Sequence, residues 1–155
     1  EFTEETTKDM ILEVRVKSGE TGPKERAAEV YTMRLPNKDA ETKQIPYILL
    51  QFIKGADDQK EGEQPESECA VRFVFATYSE DGGKGAMDVL NLITRIRLAL
   101  IKKGVIGDQF SIKRPIEYIV YPDSTPPYFM GEMMTLWEMP TIQREVPLYD
   151  ELCAE

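Results

Sequence analysis

Histidine is missing from this sequence, because none of the 155 residues is a His. Without an imidazole base, the triads on which most serine and cysteine hydrolases rely cannot be built. The commonest metal-ligating side chain is missing as well. The sequence therefore predicts a protein that is not an enzyme, has no catalytic residues and holds no metal or cofactor.

Cysteine is scarce, with Cys69 and Cys153 as the only two. Two thiols so far apart in the sequence form neither a disulfide framework nor a zinc-binding spacing. Cys69 falls in an alternating apolar stretch, which predicts a small buried side chain in a strand. This usage is typical of a protein made in a reducing cytoplasm.

Basic residues are few: the sequence has 19 Lys and Arg but 28 Asp and Glu, and the formal net charge is −9. A face that binds DNA phosphates needs clustered Lys and Arg to release counterions, and here the basic residues are scattered. We therefore expect neither stable nucleic-acid binding nor attachment to an anionic membrane. An acidic surface is still compatible with DNA sliding past without binding.

Long hydrophobic runs are also missing. No apolar stretch approaches the ~20 residues needed to cross a bilayer, and the chain does not open on a charged-then-apolar leader, so we expect neither a membrane span nor secretion. The 41% hydrophobic and 30% charged residues are a balance typical of globular proteins. The length fits one domain over 1–155, with 1–5 and 141–155 irregular.

What the sequence does contain is an alternation of strand-like segments around one helix. The predicted strands are 29–35, 46–53, 69–78, 110–121 with a bend at Pro115, and 129–139. The proline-rich stretch 122–127 predicts a hairpin between the last two. Two of the strands, 46–53 and 69–78, carry apolar residues on both faces, which is typical of the inside of a sheet.

The clearest element is a helix over 86–103. One apolar stripe contains Val89, Ile93, Ile96 and Leu100, and a second stripe beside it contains Met87, Leu90 and Ile101. Two stripes suggest that the helix is covered twice, by a sheet and by a second helix or a neighbouring subunit. Asp88 near its start, Lys102 and Lys103 at its end, and Gly104 just beyond fit the helix dipole and a glycine stop.

The N-terminal region allows two interpretations. Apolar residues recur at helical spacing over 6–18, with Thr6 or Thr7 as a cap, but 13–17 alternates like a strand. Together these patterns predict an α+β fold: one mixed or antiparallel sheet of about four or five strands, with helix 86–103 on one face and a possible N-terminal helix.

Two motifs suggest ligand chemistry. The glycines and lysine of 82–85 precede a helix, but Gly85 stands where a phosphate loop has Ser or Thr, and Glu80 and Asp81 would repel a phosphate. The acidic stretch 55–68 lacks the oxygen spacing of a calcium loop and predicts an exposed, mobile loop. A small nucleotide-binding regulator or enzyme remains as an alternative of a different class.

Two features suggest protein contacts. Arg95 and Arg97 lie on the apolar helix, either as a snorkelling side chain and a surface ion pair or as partners of a carboxylate on a neighbouring subunit. The segment from Tyr128 to Trp137 contains three of the seven methionines beside aromatic residues, a composition that suits either a core strand or an interface.

The order of these segments resembles a family of small proteins from the tail modules of phages and prophages, the tail terminator or tail completion proteins. The resemblance covers about 46–146. It rests on the opening of strand 46–53, the acidic stretch, strand 69–78 and the helix segment 92–97. Beyond the helix it rests on 110–115, 121–123, 127–132 and 135–140.

The family resemblance implies a virion protein that forms a ring, expected to be a hexamer, which caps the tail tube and forms the head–tail joining interface. The implied partners are other copies of the chain, the tail tube protein, and the head-completion or connector protein. The resemblance is also compatible with a chain that is a monomer in isolation. A head-completion or tail tube subunit is the alternative within the same virion. The protein would be made in the host cytoplasm and reside at the head–tail junction.

We select two sets of candidate residues from the sequence. The candidate interface residues are Arg95, Arg97, Asp123, Tyr128, Glu132 and Trp137. The candidate residues of an acidic surface facing a DNA channel are Asp57, Asp58, Glu61 and Glu63. An acidic loop on the outer rim that keeps the protein soluble is the alternative for the second set.

Overall fold

The computed structural model describes residues 1–16, 18–19, 21–22, 24–36 and 45–142. Within these residues the chain forms two helices and eight strands, in an α+β arrangement as predicted. The helices are α1 (Phe2–Thr7) and α2 (Gly82–Lys103). The strands are β1 (Ile11–Glu13), β2 (Glu25–Ala27), β3 (Glu29–Thr32), β4 (Tyr47–Asp58), β5 (Glu66–Tyr78), β6 (Val105–Ile106), β7 (Phe110–Val120) and β8 (Tyr128–Met139).

Six strands form one mixed sheet in the order β3-β4-β5-β8-β7-β6, and β1 pairs with β2 in a separate ribbon. Only β3 and β4 run parallel; the other neighbours in the large sheet are antiparallel. The sheet therefore has six strands, where the sequence predicted about four or five. The extra strand is β6, whose two residues are too few to show an alternating pattern.

Helix α2 begins at Gly82, four residues earlier than the predicted Ala86, because Asp81 caps it. The Asp81 carboxylate accepts hydrogen bonds from the backbone N–H groups of Gly83 at 3.0 Å and Lys84 at 3.3 Å. Such a cap pairs amide groups that the first turn leaves without partners. The helix ends at Lys103 as predicted, and Gly104 follows with a φ of 70°, a conformation that favours glycine.

The core lies between α2 and one face of the sheet. Val89, Ile93, Ile96 and Leu100 are all buried, which confirms the first apolar stripe. The sheet residues packed against them include Ile48, Phe73, Phe75, Phe129 and Met133. Gly85 is required here, because a Cβ atom at that position would lie 2.1 Å from the ring of Phe129.

The second stripe is only partly covered. Leu90 and Ile101 are half-buried, but Met87 is exposed, so the prediction was wrong for that residue. A second helix does pack on α2, since α1 contacts it and the ammonium of Lys103 lies 5.3 Å from the ring centre of Phe2.

The N-terminal region differs from both sequence interpretations. An N-terminal helix is present, but the bounds 6–18 were wrong: α1 occupies Phe2–Thr7, and most of it lies in the stretch 1–5 that was expected to be irregular. Thr6 and Thr7 end this helix rather than cap its start, and their hydroxyls donate back to the carbonyls of Phe2 and Thr3. The strand predicted as the alternative over 13–17 lies earlier in the chain, at Ile11–Glu13. Lys17 lies outside the described residues.

The hairpin of β7 and β8 forms as predicted, joined by the proline-rich connector. Its register shifts between Lys113 and Glu117, which places the predicted bend at Pro115. Proline lacks a backbone N–H, so a bulge near the border of a sheet is a position that tolerates it.

The acidic stretch 55–68 is mostly not the loop that was predicted. Strand β4 continues to Asp58 and β5 begins at Glu66, and the residues 59–65 connect them. Because β5 also pairs with β8 as far as Ser67, this end of β4 and β5 belongs to the large sheet; we call it, with the connection 59–65 as its tip, the arm. Continuous pairing with β5 overrides the low strand propensity of the acidic residues. A hydrogen bond from the Ser67 hydroxyl to the Asp57 carboxylate, at 2.6 Å, joins the two strands near the tip.

The chain beyond β8 is described for Pro140, Thr141 and Ile142, which lie in neither a helix nor a strand. The remainder of the predicted irregular segment, including Cys153, lies outside the described residues. In the part of the chain that the structure describes, neither helix is long and apolar enough to cross a membrane.

The core packing predicts the effect of shortening one helix residue. Leu100→Ala should lower the free energy of unfolding by about 2–5 kcal/mol, because the side chain is 2% exposed and its removal leaves a cavity. Leu98→Ala is the matched control, since Leu98 is 44% exposed on the same helix. Urea denaturation of both variants measures the difference. A loss below about 1 kcal/mol for Leu100→Ala would contradict the assigned core face.

Candidate interaction surface

The two faces of the large sheet have different surroundings. Helices α1 and α2 lie on the side of Phe73 and Phe75, whereas no described helix or strand covers the opposite face. Because side chains alternate along a strand, each long strand contributes every second residue to this uncovered side. We call it the open face; its residues include Tyr31, Tyr47, Leu49, Gln51, Arg72, Val74, Ala76, Tyr78, Ile119, Tyr128, Met130, Glu132 and Met134.

One part of the open face is an apolar cluster. Tyr47, Leu49 and Ala76 are buried there together with Ile45. Half-buried residues surround this floor: Tyr31, Leu35, Val74, Tyr78, Tyr128 and Met130. The open face therefore combines apolar packing with partly accessible tyrosine and methionine side chains.

Aromatic contacts hold the tyrosines in place. Tyr31 meets Tyr47 edge-on with ring centres 6.4 Å apart, and Tyr78 lies 5.7 Å from Tyr128. Arg15 donates a hydrogen bond of 2.6 Å to the hydroxyl of Tyr128 and lies near the face of its ring. The amphipathic side chains are thus presented in fixed orientations, which lowers the entropic cost of a contact.

A charged group lies at the middle of the open face. The guanidinium of Arg72 donates to the side-chain oxygen of Gln51 from Nε at 3.0 Å and from Nη2 at 2.6 Å. Its Nη1 lies 3.8 Å from a carboxylate oxygen of Glu132. Gln51, Arg72 and Met134 are directly opposite one another on three neighbouring strands, so strand pairing itself assembles this group.

The environment of the tyrosines favours their neutral, hydrogen-bonding form. Burial, with a hydrogen bond to Glu29, raises the pKa of Tyr31 to about 12. Burial also raises the pKa of Tyr121, and a hydrogen bond to Glu132 acts in the same direction. These hydroxyls therefore remain protonated near neutral pH. The arrangement suits polar and aromatic contact with another protein surface.

The predicted interface residues are divided between different parts of the molecule. Tyr128 and Glu132 lie on the open face, and Asp123 lies beside it in the β7–β8 connector, lining a shallow pocket with Tyr121 and Met130. Arg95 and Arg97 lie on α2, on the other side of the sheet. The structure does not bring the six residues together.

Arg95, Arg97 and Trp137, like Tyr128 and Glu132, have partners within the chain. Arg95 forms an ion pair with Asp9 at 3.2 Å, which corresponds to the surface ion pair considered from the sequence. The guanidinium of Arg97 lies 5.2 Å from the ring centre of Tyr118. Trp137 is 8% exposed, and its indole N–H donates to the Thr135 hydroxyl at 2.9 Å, so it packs in the core, which is one of the two alternatives that the composition of its segment allowed.

Several residues of the open face were not selected from the sequence. Arg72 and Gln51 carry its central group, and Tyr31 and Tyr121 contribute hydroxyls. The available signal was the alternation in strand 69–78, which places Arg72, Val74 and Tyr78 on one side. The strand pairing that joins them to Gln51 and Glu132 is a long-range property.

The acidic residues Asp57, Asp58, Glu61 and Glu63 lie along the arm and at its tip, and all are exposed. Asp57 accepts from Ser67, and Asp58 accepts from the backbone N–H of Gln59 at 2.9 Å. Among the described residues, none of the four forms an ion pair with a Lys or Arg. Their channel-facing role stays a prediction.

The glycine turn before α2 has a structural explanation. The amide groups that would bind a phosphate already donate to the Asp81 carboxylate, and Lys84 forms an ion pair with Glu13 at 2.5 Å. This geometry disfavours the nucleotide-binding alternative at 82–85. Within the described ranges, no cluster of three or more Cys, Asp or Glu side chains is placed to hold a metal ion.

Comparison with known proteins adds no family assignment. No protein-family model matches the chain, and no curated protein matches it in sequence. The phage-tail resemblance therefore stays a prediction.

The Asp81 cap yields a testable difference between two substitutions. Asp81→Ala should lower the free energy of unfolding by about 1 kcal/mol, because two N–H groups of α2 lose their acceptor. Asp81→Asn, the matched control, keeps a side-chain oxygen and should remain close to the original protein. Thermal and urea unfolding measure both, and equal losses would contradict the capping role. Micromolar nucleotide binding to the unaltered protein in calorimetry would instead restore the nucleotide-site alternative.

Proposed function

We propose that this chain is a structural subunit of a phage tail, which caps the tail tube as a ring and forms the surface that joins the tail to the head. The observation that carries the proposal is the open face, a tyrosine- and methionine-rich side of the sheet that no described helix or strand covers. The resemblance of residues 46–146 to tail terminators indicates which partner the open face would contact, namely another protein of the phage tail.

The chemistry of the open face supports contact with protein. Tyrosine, methionine and arginine are enriched at the cores of protein interfaces, and all three occur there. Arg72 is held by Gln51 and Glu132, so its position is fixed before a partner arrives. We assign the open face to the end of the tail tube, where a matching protein surface is available.

The acidic arm fits the same role. A ring around a DNA channel benefits from carboxylates that repel phosphates at short range, within a Debye length of roughly 8–10 Å. Asp57, Asp58, Glu61 and Glu63 have no cationic partner among the described residues, so their charge is not neutralised there. The arm would then let the genome pass without binding it.

The proposed contact with the tube can be tested at one residue. Met134→Lys places a charge on the half-buried part of the open face and should abolish binding to purified tail tubes, because the lysine would be desolvated at the contact. Met87→Lys, on the exposed side of α2, is the control and should bind normally. Cosedimentation with tubes measures binding, and circular dichroism checks that both variants fold. Normal binding by Met134→Lys would overturn the assignment of this face.

The acidic arm gives a second, independent test. Replacing Asp57, Asp58, Glu61 and Glu63 together by Lys should leave particles assembled, because all four side chains are exposed. Ejection of DNA from these particles should slow, since the channel would attract phosphates. Fluorescence measurement of ejection compares them with unaltered particles. An unchanged ejection rate would place the arm on the outer rim.

A further inference from the structure

The large sheet ends in two borders with complementary outlines. On one border, β3 pairs with only the first part of β4, from Tyr47 to Leu50, so from Gln51 onward β4 has no described strand on its outer side. On the other border, β6 pairs with only Phe110 and Ser111, so the rest of β7 has no described outer neighbour strand. On the first border, β3 projects and the later part of β4 is recessed. On the second border, β6 projects and the later part of β7 is recessed. The two projecting strands lie at opposite ends of the sheet.

The recessed stretch of β7 offers backbone hydrogen-bonding groups. Tyr121 donates its N–H to Met130 on the inner side at 2.9 Å. Because these groups alternate along an antiparallel strand, those of Ile116, Tyr118 and Val120 point outward. An unpaired edge of this kind is a ready template for another strand.

The projecting strand β3 offers matching groups. Glu29 and Met33 donate inward, to the carbonyls of Pro46 and Leu50, so the backbone groups of Val30 and Thr32 point outward. The carbonyl of Thr32 already accepts from Arg34; its N–H and both backbone groups of Val30 have no outer partner among the described residues.

Apolar side chains concentrate on these two borders. Seven of the twelve exposed large hydrophobic residues in the described chain lie there: Met33, Phe52 and Ile53 on the β3–β4 border, and Val105, Phe110, Tyr118 and Ile119 on the β6–β7 border. Exposed apolar residues grouped in this way typically mark a contact surface.

The two borders also differ in charge. Arg97 and Arg114 lie beside or on β7 with no carboxylate partner among the described residues. Asp57 and Asp58 lie on the recessed part of β4 with no cationic partner there. Asp57 is opposite Ser67 and Met139, at the end of the sheet where β7 begins, so these charges take no part in the pairing of β3 with β7. What a second copy of the chain presents to the β7 border is the strand that this border lacks.

We propose that copies of this chain join border to border, with β3 of one copy lying antiparallel beside the recessed stretch of β7 in the next. The inference rests on the proposed ring and names the contact that closes it. The strand directions agree: β3 runs with β4, and three antiparallel steps across the sheet make β7 run opposite to both. Copies that keep the same orientation around a ring axis therefore bring β3 and β7 together as an antiparallel pair.

The cross-strand pairing defines the expected register. Thr32, Leu50, Phe73, Met133 and Tyr118 are successive partners across the five strands, so they form one row. If neighbouring copies are related by rotation alone, the row continues from Thr32 of one copy to Tyr118 of the next. Both residues have outward backbone groups, as a hydrogen-bonded pair requires.

This contact uses two different surfaces of the same chain. Such a head-to-tail interface builds a ring when its rotation closes, and it never ends in a closed dimer. It also leaves the open face available to the tube, because strand borders and strand faces are separate surfaces.

Cysteine cross-linking between two different variants tests the contact. One variant carries Thr32→Cys and the other Tyr118→Cys, both with Cys69→Ala and Cys153→Ser. Mixed at high concentration and oxidised, they should give mainly the mixed dimer, several-fold above a control in which Leu98→Cys replaces Tyr118→Cys. Ile116→Cys and Val120→Cys detect a register shifted by two residues, and circular dichroism confirms that each variant folds.

A yield from all three β7 positions that is no higher than the Leu98→Cys control overturns the contact, and so does a product dominated by Thr32→Cys homodimers. Tube capping by the unaltered protein is measured in parallel. Capping without the mixed dimer would reject this contact and leave the proposed function standing. A mixed dimer without capping would support the contact and reject the terminator role.

Discussion

The antiparallel pairing of β5 with β8 is the constraint on which the rest of the structure depends. The two strands stay in register without interruption from Ser67 opposite Met139 to Tyr78 opposite Tyr128. Alternation then assigns every residue of the pair to one of two faces. Phe75 and its neighbours on one face form the floor for α2, and Arg72 and Glu132 on the other form the open face. A slip of one residue would place Arg72 and Glu132 under the helix, so register and core packing fix each other.

This division leaves each surface of the molecule with a different chemical character. The helix side is covered in part by α1 and α2, which the Arg95–Asp9 ion pair helps to hold, and beyond the helices it has an apolar pocket lined by Leu50, Phe52 and Val71. The open face holds aromatic groups around Arg72, and the two borders hold unpaired backbone groups with apolar side chains. A subunit that binds other copies of itself within a ring and also binds the end of a tube needs two independent surfaces, such as the borders and the open face. The proposed tube contact uses the open face, and the proposed ring contact uses the two borders.

Long elements were predictable because their patterns repeat. The alternation of 69–78 and 129–139 and the apolar stripe of α2 gave their type and nearly their bounds. Short elements were not predictable, since α1 with six residues and β6 with two are too short to show a periodic pattern.

The arm was misread because its acidic composition resembles a loop, and only pairing with β5 keeps it extended. Tyr128 and Glu132 were found from local composition, whereas Arg72 and Gln51 meet through strands far apart in sequence. The sequence left Trp137 open between core and interface, because a sequence does not show which face of a strand a helix covers.

The proposed function depends on assembly of this chain into a ring, and the mass of the particle in solution reports that assembly. Light scattering of the purified protein over a wide concentration range would follow that mass. We expect a monomer at low concentration and a mass that rises toward a closed ring, expected to be a hexamer, as concentration increases. A tight dimer that keeps the same mass at every concentration would contradict it, because a closed two-fold contact leaves no border free to continue around a ring.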